Sequence, residues 1–418
     1  MPPTIFISAG EASGEYYGAL LIAAIRQHLA PKGLRAELFG MGGPRMVEAG
    51  LDRVVRAEDM AVMGVTEVIR HLPRIYREFR KLRQSIRDRR PAVAVLIDFP
   101  DIHFKLAAEC HRLGIPVVFF VSPQLWAWKK HRIKLVQKYI DRMLVIFPFE
   151  ESFYRNQGVQ AEFVGHPLAE LPMPATTRQQ FAAQNDLDPA RTWIALLPGS
   201  RLGEIRDHLP EMIKAASRLA LPQSAAAHPT EAYEFLVPLA PTLDATQRGE
   251  VSKLIEDCRG GLSLGTVPIH VVDDARAALY HARASVVASG TATVEAALIG
   301  NPFVVVYRVS PLTYAVAKRV VNVPHVAMAN LIAGKRVVPE LIQHDFTASN
   351  IVQQLEPLLP DGPARQSMMQ ELEGVRRALL AQPATGEGKN LAVMDRVAAI
   401  VLEQLQAAPP LEAGQESV

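Results

Sequence analysis

Short, continuous apolar runs alternate with segments of helical length along most of the chain. In the first half these runs lie at residues 4–8, 36–39, 92–97, 117–121, 143–147 and 162–164. In the second half they lie at residues 193–197, 235–238, 269–272, 285–288 and 303–306. Hydrophobicity that is continuous rather than alternating is typical of strands buried on both faces of a parallel sheet. The pattern therefore predicts an α/β fold with two Rossmann-like, doubly wound domains.

The alternation stops between the two sets of runs, and this interruption divides the chain. Three prolines favour a linker at residues 171–192, which separates a domain at 1–170 from one at 193–365. Two domains also suit a length of 418 residues. Helical patterns at residues 366–406 are free to pack back on the first domain, and residues 407–418 are expected to be disordered. Ligands of such sheets bind beyond the carboxyl ends of the strands, so the cleft between the domains is the expected site.

The charge balance and the cysteines exclude several classes of protein. A net charge of +2 supplies no global field for nucleic acid, and Cys110 and Cys258 are too far apart for metal-ligand spacing. Both cysteines are expected to be buried apolar residues. No apolar run approaches the roughly 20 residues that span a bilayer, and the N-terminus lacks a signal-peptide pattern. The sequence predicts a cytoplasmic protein, free or peripherally attached to a membrane.

The glycine-rich loop G-E-A-S-G at residues 10–14 follows the first strand and admits two interpretations. Its spacing matches neither the nucleophile elbow of hydrolases nor the Walker loop. Free N–H groups at a helix start favour an anion, which makes Ser13 and Gly14 candidate substrate-binding residues. The alternative is a tight turn in which Ser13 caps the helix. A second glycine-rich stretch, residues 39–46, has Arg45 where a dinucleotide fingerprint needs glycine, so NAD binding is not expected.

Two later strands of the first half also end in polar side chains. In L-I-D-F-P-D-I, Asp98 leaves a buried strand and is placed to have a raised pKa and act as a general base. Asp101 is better interpreted as the cap of a helix starting at Ile102. After the next strand, Gln124 suits a hydroxylated ligand, whereas Trp126 and Trp128 fit either a ligand or the core.

The second half carries the stronger signals for an anionic ligand. Gly199, Ser200 and Arg201 form a turn between a strand and a helix. A cation is normally unfavourable at a helix N-terminus, so Arg201 there indicates a bound diphosphate, with pairing to Glu204 as the alternative.

The same arrangement recurs at Ser289, Gly290 and Thr291, ahead of another helix. Glu295 lies one turn into that helix, where it either accepts two ribose hydroxyls or is a solvated surface residue. Asn330 lies in an apolar segment and must find partners in the backbone or in a ligand.

One helical stripe has the character of a membrane-surface element. Ile75, Phe79, Leu82 and Ile86 fall on one face, with basic residues around them. The apolar stretch M-A-V-M-G-V at residues 60–65 precedes the stripe. We expect the stripe to pack on the sheet and the cations to face anionic lipid. The predicted membrane contacts are Met60, Met63, Arg74, Arg77 and Lys81.

Taken in order, eight motifs resemble the lipid-A-disaccharide synthase family over nearly the whole chain. They are GEASGE, VMGVTEV, DFPDI, SPQLWAW, FVGHPL, LLPGSRLGEI, SGTATVE and NLIAGKRVVPELIQ. The resemblance implies two domains of the glycosyltransferase B type and a role in lipopolysaccharide synthesis in Gram-negative bacteria. The implied reaction transfers 2,3-diacylglucosamine from UDP to 2,3-diacylglucosamine 1-phosphate, which gives a β-1,6 disaccharide and UDP. The first domain would then face acceptor and membrane, and the second would bind the UDP-sugar.

The resemblance also implies roles for individual residues. Asp98 and Arg201 are essential, and Asn330 lies on the donor side. UDP lies against Arg201, Ser289, Gly290, Thr291 and Glu295. The sequence departs from the family at Glu15, where the family usually has Asp.

Because no D-x-D pair occurs in the expected loops, Arg201 and helix N-termini are expected to neutralise the departing UDP without a metal or other cofactor. The expected partners are acylated glucosamine substrates, an anionic membrane surface and a second copy of the chain in a homodimer, but no nucleic acid. Two alternatives stay open on the sequence: a UDP-sugar 2-epimerase and a non-catalytic nucleotide- or lipid-binding protein.

Overall fold

The computed structural model describes residues 2–60, 65–220, 233–261, 267–320, 323–380 and 391–407. The chain divides into two compact units, one made of Met1–Glu170 with Leu379–Val418 and the other of Leu171–Ala378. Residues 221–232 and 408–418 lie outside the described residues, so the disorder expected for the C-terminal residues stays a prediction.

The first unit is built on a seven-stranded sheet of order β3-β2-β1-β4-β5-β6-β7, in which every pairing is parallel. Its strands are β1 Thr4–Ala9, β2 Glu37–Gly42, β3 Asp52–Arg56, β4 Val93–Ile97, β5 Val117–Phe120, β6 Arg142–Val145 and β7 Ala161–Phe163. The central strand β4 is buried along its whole length, as its unbroken apolar run requires. The predicted fold class is confirmed for this unit, and β3 is an additional strand at the sheet edge.

The second unit repeats the design with six parallel strands in the order β10-β9-β8-β11-β12-β13. Its strands are β8 Thr192–Leu197, β9 Tyr233–Pro238, β10 Ile269–Val272, β11 Ala284–Ala288, β12 Phe303–Tyr307 and β13 Glu340–Ile342. Both sheets have the doubly wound strand order of nucleotide-binding folds, which reverses direction beside the first strand of the sheet. Ligand-binding loops are therefore expected after β1 and β4 in one unit and after β8 and β11 in the other.

Helices cover both sheets. In the first unit they are α1 Ala12–Leu29, α2 Pro44–Glu48, α3 Val65–Arg89, α4 Pro100–Arg112, α5 Ile133–Tyr139 and α6 Pro148–Arg155. In the second they are α7 Arg178–Gln184, α8 Leu202–Ala220, α9 Ala245–Gly261, α10 Ala275–His281, α11 Thr291–Ile299, α12 Pro311–Val320, α13 Met328–Ala333, α14 Ala348–Leu355 and α15 Pro363–Leu379. The last helix is α16, Val393–Ala407.

The helix α16 packs on α1 and so belongs to the first unit. His28 of α1 lies 3.1 Å from the carboxylate of Asp395. The carboxylate of Glu170 accepts hydrogen bonds from the N–H of Val393 at 2.9 Å and so caps the first turn of α16. The apolar face of α16, with Val397 and Val401 fully buried, completes the core on that side of the sheet.

The segment predicted as a linker, residues 171–192, contains a packed helix instead of extended chain alone. Thr177 begins α7 with a capping box, in which its hydroxyl and Gln180 exchange hydrogen bonds with the backbone. The guanidinium of Arg178 lies 3.6 Å from the ring centre of Trp193, a buried residue of β8. Through these contacts the segment packs on β8 and belongs to the second unit.

The prediction that both cysteines are buried is confirmed only for Cys110. Cys110 is buried in the core, Cys258 is partly exposed, and both are free thiols.

None of the helices in the described ranges is long and apolar enough to cross a membrane.

Candidate active site

Asp98 directly follows β4 and has an unusual backbone. Its φ is +52° and that of Phe99 is +50°, so two consecutive non-glycine residues are left-handed. The N–H of Asp98 donates to the carbonyl of Phe120 in β5 at 2.9 Å, which fixes the start of the turn. Burial, aided by the negative charge of Glu11, raises the pKa of the Asp98 carboxyl to about 7. A carboxyl with this pKa accepts a proton near neutral pH, as a general base must.

The turn at Asp98 is supported by a histidine that the sequence reasoning missed. His103 is fully buried, its Nδ1 donates to the carbonyl of Asp98 at 2.6 Å, and its Nε2 lies 2.9 Å from Oγ of Ser8. Burial lowers the pKa of His103 to about 4, so the ring is neutral. The sequence signal was a histidine five residues after a strand-end aspartate, on the first turns of α4.

The first glycine-rich loop places Glu11, not Ser13, at the helix start. Glu11 has extended backbone geometry and α1 begins at Ala12, with no side chain capping it. The cap prediction for Ser13 is therefore wrong. Ser13 and Gly14 lie in the first turn of α1, and the N–H groups of that turn have no acceptor within the helix. The predicted substrate contacts of Ser13 and Gly14 stay predictions.

Glu15, the residue that departs from the family pattern, contacts another helix. Its Oε1 accepts a hydrogen bond at 3.0 Å from the N–H of Arg45, in the first turn of α2. A Cβ at Gly43 would lie 2.3 Å from this carboxylate, so the glycine leaves the space that Glu15 occupies. Glu15 thus stabilises the start of α2.

Asp101 does not cap α4, because that helix begins at Pro100 after a left-handed Phe99. Its exposed carboxylate instead pairs with Arg132 at 2.6 Å. The cap prediction fails because the left-handed turn moves the helix start two residues upstream of Ile102.

A buried carboxyl organises the loop after β5. Glu150 is 1% exposed and accepts hydrogen bonds from Oγ of Ser122 at 2.9 Å and from Nε1 of Trp126 at 3.0 Å. Burial raises the pKa of Glu150 to about 7. Gln124 is exposed in the same loop, and Trp128 is 43% exposed with the Lys129 ammonium 4.0 Å from its ring centre. Trp126 thus serves to hold the loop, and the substrate contact predicted for the exposed Gln124 stays a prediction.

In the second unit, the turn after β8 is closed by a carboxylate. Glu204 accepts a hydrogen bond from the N–H of Ser200 at 3.1 Å and pairs with Arg201 at 3.3 Å. Gly199 has φ +127°, and a Cβ there would lie 2.6 Å from Oε2 of Glu204. The pairing that the sequence offered as an alternative for Arg201 is thus present. Half of the Arg201 side chain remains exposed at the start of α8.

A second missed histidine ties this turn to the end of β12. His208 is fully buried, and its Nδ1 donates to the carbonyl of Pro198 at 2.7 Å. Its Nε2 accepts a hydrogen bond from the N–H of Arg308 at 3.0 Å. The histidine therefore fixes the end of β8 relative to the end of β12.

The turn after β11 leaves a helix N-terminus and a carboxylate unpaired. Gly290 is exposed with φ +155° and is the N-cap residue of α11, so the cap position supplies no side-chain hydrogen bond to the first turn. Thr291 is exposed and Ser289 is half-buried beside it. Glu295 is half-buried, and within the described residues its carboxylate has neither a hydrogen bond nor an ion pair closer than 4 Å. Burial raises the pKa of Glu295, whereas the charge of Arg276 lowers it.

Asn330 is held by hydrogen bonds to neighbouring residues. It is fully buried, and its amide nitrogen donates to the carbonyl of Val338 at 3.0 Å and to Glu340 at 2.8 Å. Its amide oxygen accepts hydrogen bonds from the N–H groups of Val337 and Val338. Every polar group of Asn330 is satisfied by these neighbours, and the donor-side contact predicted for it stays a prediction.

The predicted membrane helix α3 packs as expected on its apolar face. Leu82 and Ile86 are fully buried in the core of the first unit, and Ile75 and Phe79 pack against it. Met60 is also in that core at 2% exposure, and the membrane contact predicted for it stays a prediction. Met63 lies outside the described residues.

The cations of α3 surround a few carboxylates. Arg77 and Lys81 pair with Glu78, at 3.1 Å and 2.9 Å, and Arg74 pairs with Asp59. Nearby, Glu109 of α4 pairs with Arg83, Arg87 and Arg112, which lower its pKa to about 2. Five cations therefore share the two carboxylates of Glu78 and Glu109, and the surface keeps a net positive charge.

These features define a fold, and sequence similarity then shows the family. Two doubly wound parallel sheets, each with polar loops at its carboxyl edge, are the architecture of the glycosyltransferase B type. The solved calicheamicin glycosyltransferase CalG4 is similar with a TM-score of 0.56 at 17% identity, over 98% of this chain and 100% of that one. The UDP-GlcNAc 2-epimerase of Neisseria meningitidis, solved with UDP-GlcNAc, has a TM-score of 0.55 at 13% identity, over 97% and 100%. At these identities the likeness shows the fold alone.

The family follows from sequence similarity. The family described as lipid-A-disaccharide synthetase matches residues 5–386. The lipid-A-disaccharide synthase of Acidobacterium capsulatum is 58% identical over 408 residues, which is 97% of this chain and 97% of that protein. The chain belongs to the lipid-A-disaccharide synthase family and is a glycosyltransferase of lipid A disaccharide synthesis. The epimerase alternative is not favoured, because only the fold is shared with those enzymes.

Proposed function

We propose that the enzyme joins UDP-2,3-diacylglucosamine to 2,3-diacylglucosamine 1-phosphate and releases the β-1,6 disaccharide 1-phosphate and UDP. The observation that carries the proposal is Asp98, a carboxyl with pKa about 7 at the carboxyl end of a central parallel strand. An α-linked UDP donor and a β-linked product require inversion at the sugar carbon by direct displacement. The acceptor 6-hydroxyl is a weak nucleophile, so a base must accept its proton as the new C–O bond forms.

Asp98 suits the role of base in this reaction for two reasons. Its carboxyl is ionised above pH 7 yet basic enough to hold the proton it receives. The left-handed turn places it after β4, in the region of the fold where ligands of such sheets bind. Removal of a positioned base typically costs about 10²–10⁴ in rate.

The second unit carries groups that suit the departing UDP. Negative charge develops on the diphosphate as the bond to the sugar breaks. The uncapped N-terminus of α11 and the exposed guanidinium of Arg201 at α8 are matched to that charge. The unpartnered carboxylate of Glu295, one turn into α11, suits the two ribose hydroxyls. Gly199, Ser200, Ser289, Gly290 and Thr291 would supply the backbone around the phosphates.

This assignment is tested by Arg201→Ala, with Arg206→Ala as the matched control from the same helix. Arg206 is an exposed arginine that pairs with Glu250. We expect Arg201→Ala to lower kcat about 10²-fold or more, because a charge that meets the leaving group acts in the transition state. Arg206→Ala should retain wild-type turnover. An active Arg201→Ala enzyme would remove Arg201 from the mechanism.

We further propose that turnover needs no metal ion, since a cationic side chain and backbone N–H groups would neutralise the diphosphate charge. Steady-state rates measured in excess EDTA should equal those measured with added Mg²⁺. A rate that falls in EDTA and returns with Mg²⁺ would contradict this part of the proposal.

Substrates with acyl chains require access to a membrane, and α3 offers the surface. We propose peripheral attachment to the inner face of the inner membrane through Arg74, Arg77, Lys81 and the cations shared around Glu109. Binding to vesicles with anionic lipid should weaken as salt rises. The double variant Arg77→Ala/Lys81→Ala should bind more weakly than Arg206→Ala/Lys253→Ala, which removes two cations elsewhere. Salt-independent binding would contradict the electrostatic part.

A homodimer stays a prediction that light scattering on the purified protein tests.

A further inference from the structure

We propose that His103 is a positioning residue that holds the backbone of Asp98 in its left-handed turn and so aims the base. The inference rests on the proposed function, since it presumes that Asp98 accepts the proton of the acceptor. It assigns a role to a fully buried side chain that the catalytic account above does not use.

The hydrogen bonds fix the chemical state of the histidine. A carbonyl oxygen only accepts, so Nδ1, 2.6 Å from the carbonyl of Asp98, must carry the proton. A neutral ring then has a bare Nε2, which accepts the hydroxyl proton of Ser8 at 2.9 Å. The order of donors is thus Ser8 to His103 to Asp98. Ser8 lies in β1 and Asp98 follows β4, which is the neighbour of β1, so the chain of bonds joins two central strands.

The turn needs such a support because its backbone is strained. Left-handed conformations are disfavoured for residues with a Cβ, and here Asp98 and Phe99 adopt them in succession. If the carbonyl of Asp98 were free to rotate, the peptide group between the two residues could relax and the carboxyl would move. The His103 bond to that carbonyl holds the peptide in place. The ring of Phe99 lies edge-on to His103, with centres 5.7 Å apart, which packs the same turn from the side.

Two substitutions separate the two nitrogens of the ring. The amide nitrogen of an asparagine occupies roughly the place of Nδ1 and keeps a donor for Asp98. A glutamine places its amide near the position of Nε2, where it meets Ser8 but leaves the Asp98 carbonyl without a donor. Both are neutral, polar and smaller than or close to histidine in volume, so they differ mainly in which bond survives.

The experiment compares kcat, KM for the UDP-sugar and the pH dependence of kcat for wild type, His103→Asn, His103→Gln, Ser8→Ala and Asp98→Asn. Melting temperatures are measured alongside. We expect His103→Gln to lower kcat about 10- to 100-fold with KM changed less than about twofold. The acid limb of its pH profile is the range in which kcat falls as the base is protonated. This limb should move to lower pH by roughly one unit, because a misplaced Asp98 carboxyl is better solvated. His103→Asn and Ser8→Ala should stay within about threefold of wild-type kcat, with the acid limb unmoved, because each keeps the donor to Asp98.

Three outcomes would overturn the inference. One is a His103→Gln enzyme whose kcat and acid limb equal those of the wild type. Another is an equal loss in His103→Asn and His103→Gln that follows their melting temperatures, which would make His103 a packing residue. The third is a loss in Ser8→Ala as large as in His103→Gln. If His103→Gln does not fold, the result for His103→Asn and Ser8→Ala still decides, since the inference requires both to keep kcat and the acid limb. Wild-type turnover in Asp98→Asn would instead remove the base itself, which is a failure of the proposed function and is read from that variant alone.

Discussion

The ring of Phe99 lies so close to Gly10 that a Cβ on Gly10 would be 2.4 Å from Cδ1 of Phe99. The first glycine of the G-E-A-S-G loop is therefore required for this close approach, and not for a special backbone angle. The contact joins the loop after β1 to the turn after β4, so that the loop and the candidate base are built as one unit.

Gly10→Ala tests this contact. The added methyl group must displace the Phe99 ring, which follows Asp98 directly, so we expect kcat/KM to fall about 10- to 100-fold. The control is Gly374→Ala in α15, where nothing lies within 4 Å of the new Cβ. That change should leave activity alone and stabilise the helix slightly. Steady-state kinetics on both variants decide the point, and a Gly10→Ala enzyme with wild-type kcat/KM would contradict the coupling.

The pH dependence of kcat should follow the ionisation of the Asp98 carboxyl, and removal of the Glu11 charge should shift it. A base with pKa about 7 is mostly protonated below that pH, so kcat should fall about tenfold per unit below pH 6. Since the charge of Glu11 contributes to the raised pKa of Asp98, Glu11→Gln should move the acid limb to lower pH by roughly half a unit.

Glu48→Gln, which removes an exposed carboxylate on α2, is the control for Glu11→Gln and should leave the limb in place. Movement of the limb to higher pH in Glu11→Gln would show that the sign of the interaction is wrong.

Stability should depend on pH at Asp98 in a defined direction. The folded pKa of about 7 lies above the ordinary value of 3.8, so between these values the folded state holds a proton that the unfolded state has lost. Ionised Asp98 thus lowers the free energy of unfolding above pH 7, and this penalty fades as the pH falls from 7 towards 4. Asp98→Asn removes the penalty. Its melting temperature should exceed that of wild type by several degrees at pH 8, with a gap that narrows towards pH 5.

Asp101→Asn, at the exposed carboxylate that pairs with Arg132, serves as the control and should not gain stability as the pH rises. Thermal melts across this range check both variants. A gap for Asp98→Asn that widens on acidification would refute the assignment of the raised pKa.

Glu204 competes with the proposed diphosphate for the same groups. Its carboxylate already engages the N–H of Ser200 and the guanidinium of Arg201. Glu204→Gln keeps an acceptor for Ser200 and removes the negative charge. UDP should then bind about 3- to 10-fold more tightly in calorimetry, because a like charge near the phosphates is gone. Weaker binding would indicate that the Glu204 charge supports the site.

Much of the fold follows from the sequence because parallel strands are buried on both faces. The runs in β1, β4, β8 and β11 are continuous and apolar, and each lies within a residue or two of its predicted bounds. The edge strand β3, with the sequence D-R-V-V-R, is half polar and lacks that signal, and β13 is only three residues long.

The positions of Asp98 and Arg201 were predictable, because each polar residue directly follows a continuous apolar strand. The partners of Asn330 were not predictable, because an amide in an apolar segment has the same sequence pattern whether it bonds backbone groups or a ligand. Glu150 and His208 were missed because each acts through contacts with residues distant in the chain. His103 was missed because its partners are the distant Ser8 and a backbone carbonyl, that of Asp98. Spacing along one segment carries no information about such partners.

Acceptor-dependent release of UDP is the most direct test of the proposed reaction. Purified wild type and Asp98→Asn would be incubated without added metal with UDP-2,3-diacylglucosamine, with and without 2,3-diacylglucosamine 1-phosphate, and both UDP and disaccharide would be followed. The account predicts stoichiometric UDP and disaccharide from wild type only when acceptor is present, and at least about 10²-fold less from a folded Asp98→Asn. Disaccharide formed at equal rates by both proteins would contradict the assignment of Asp98 as the base.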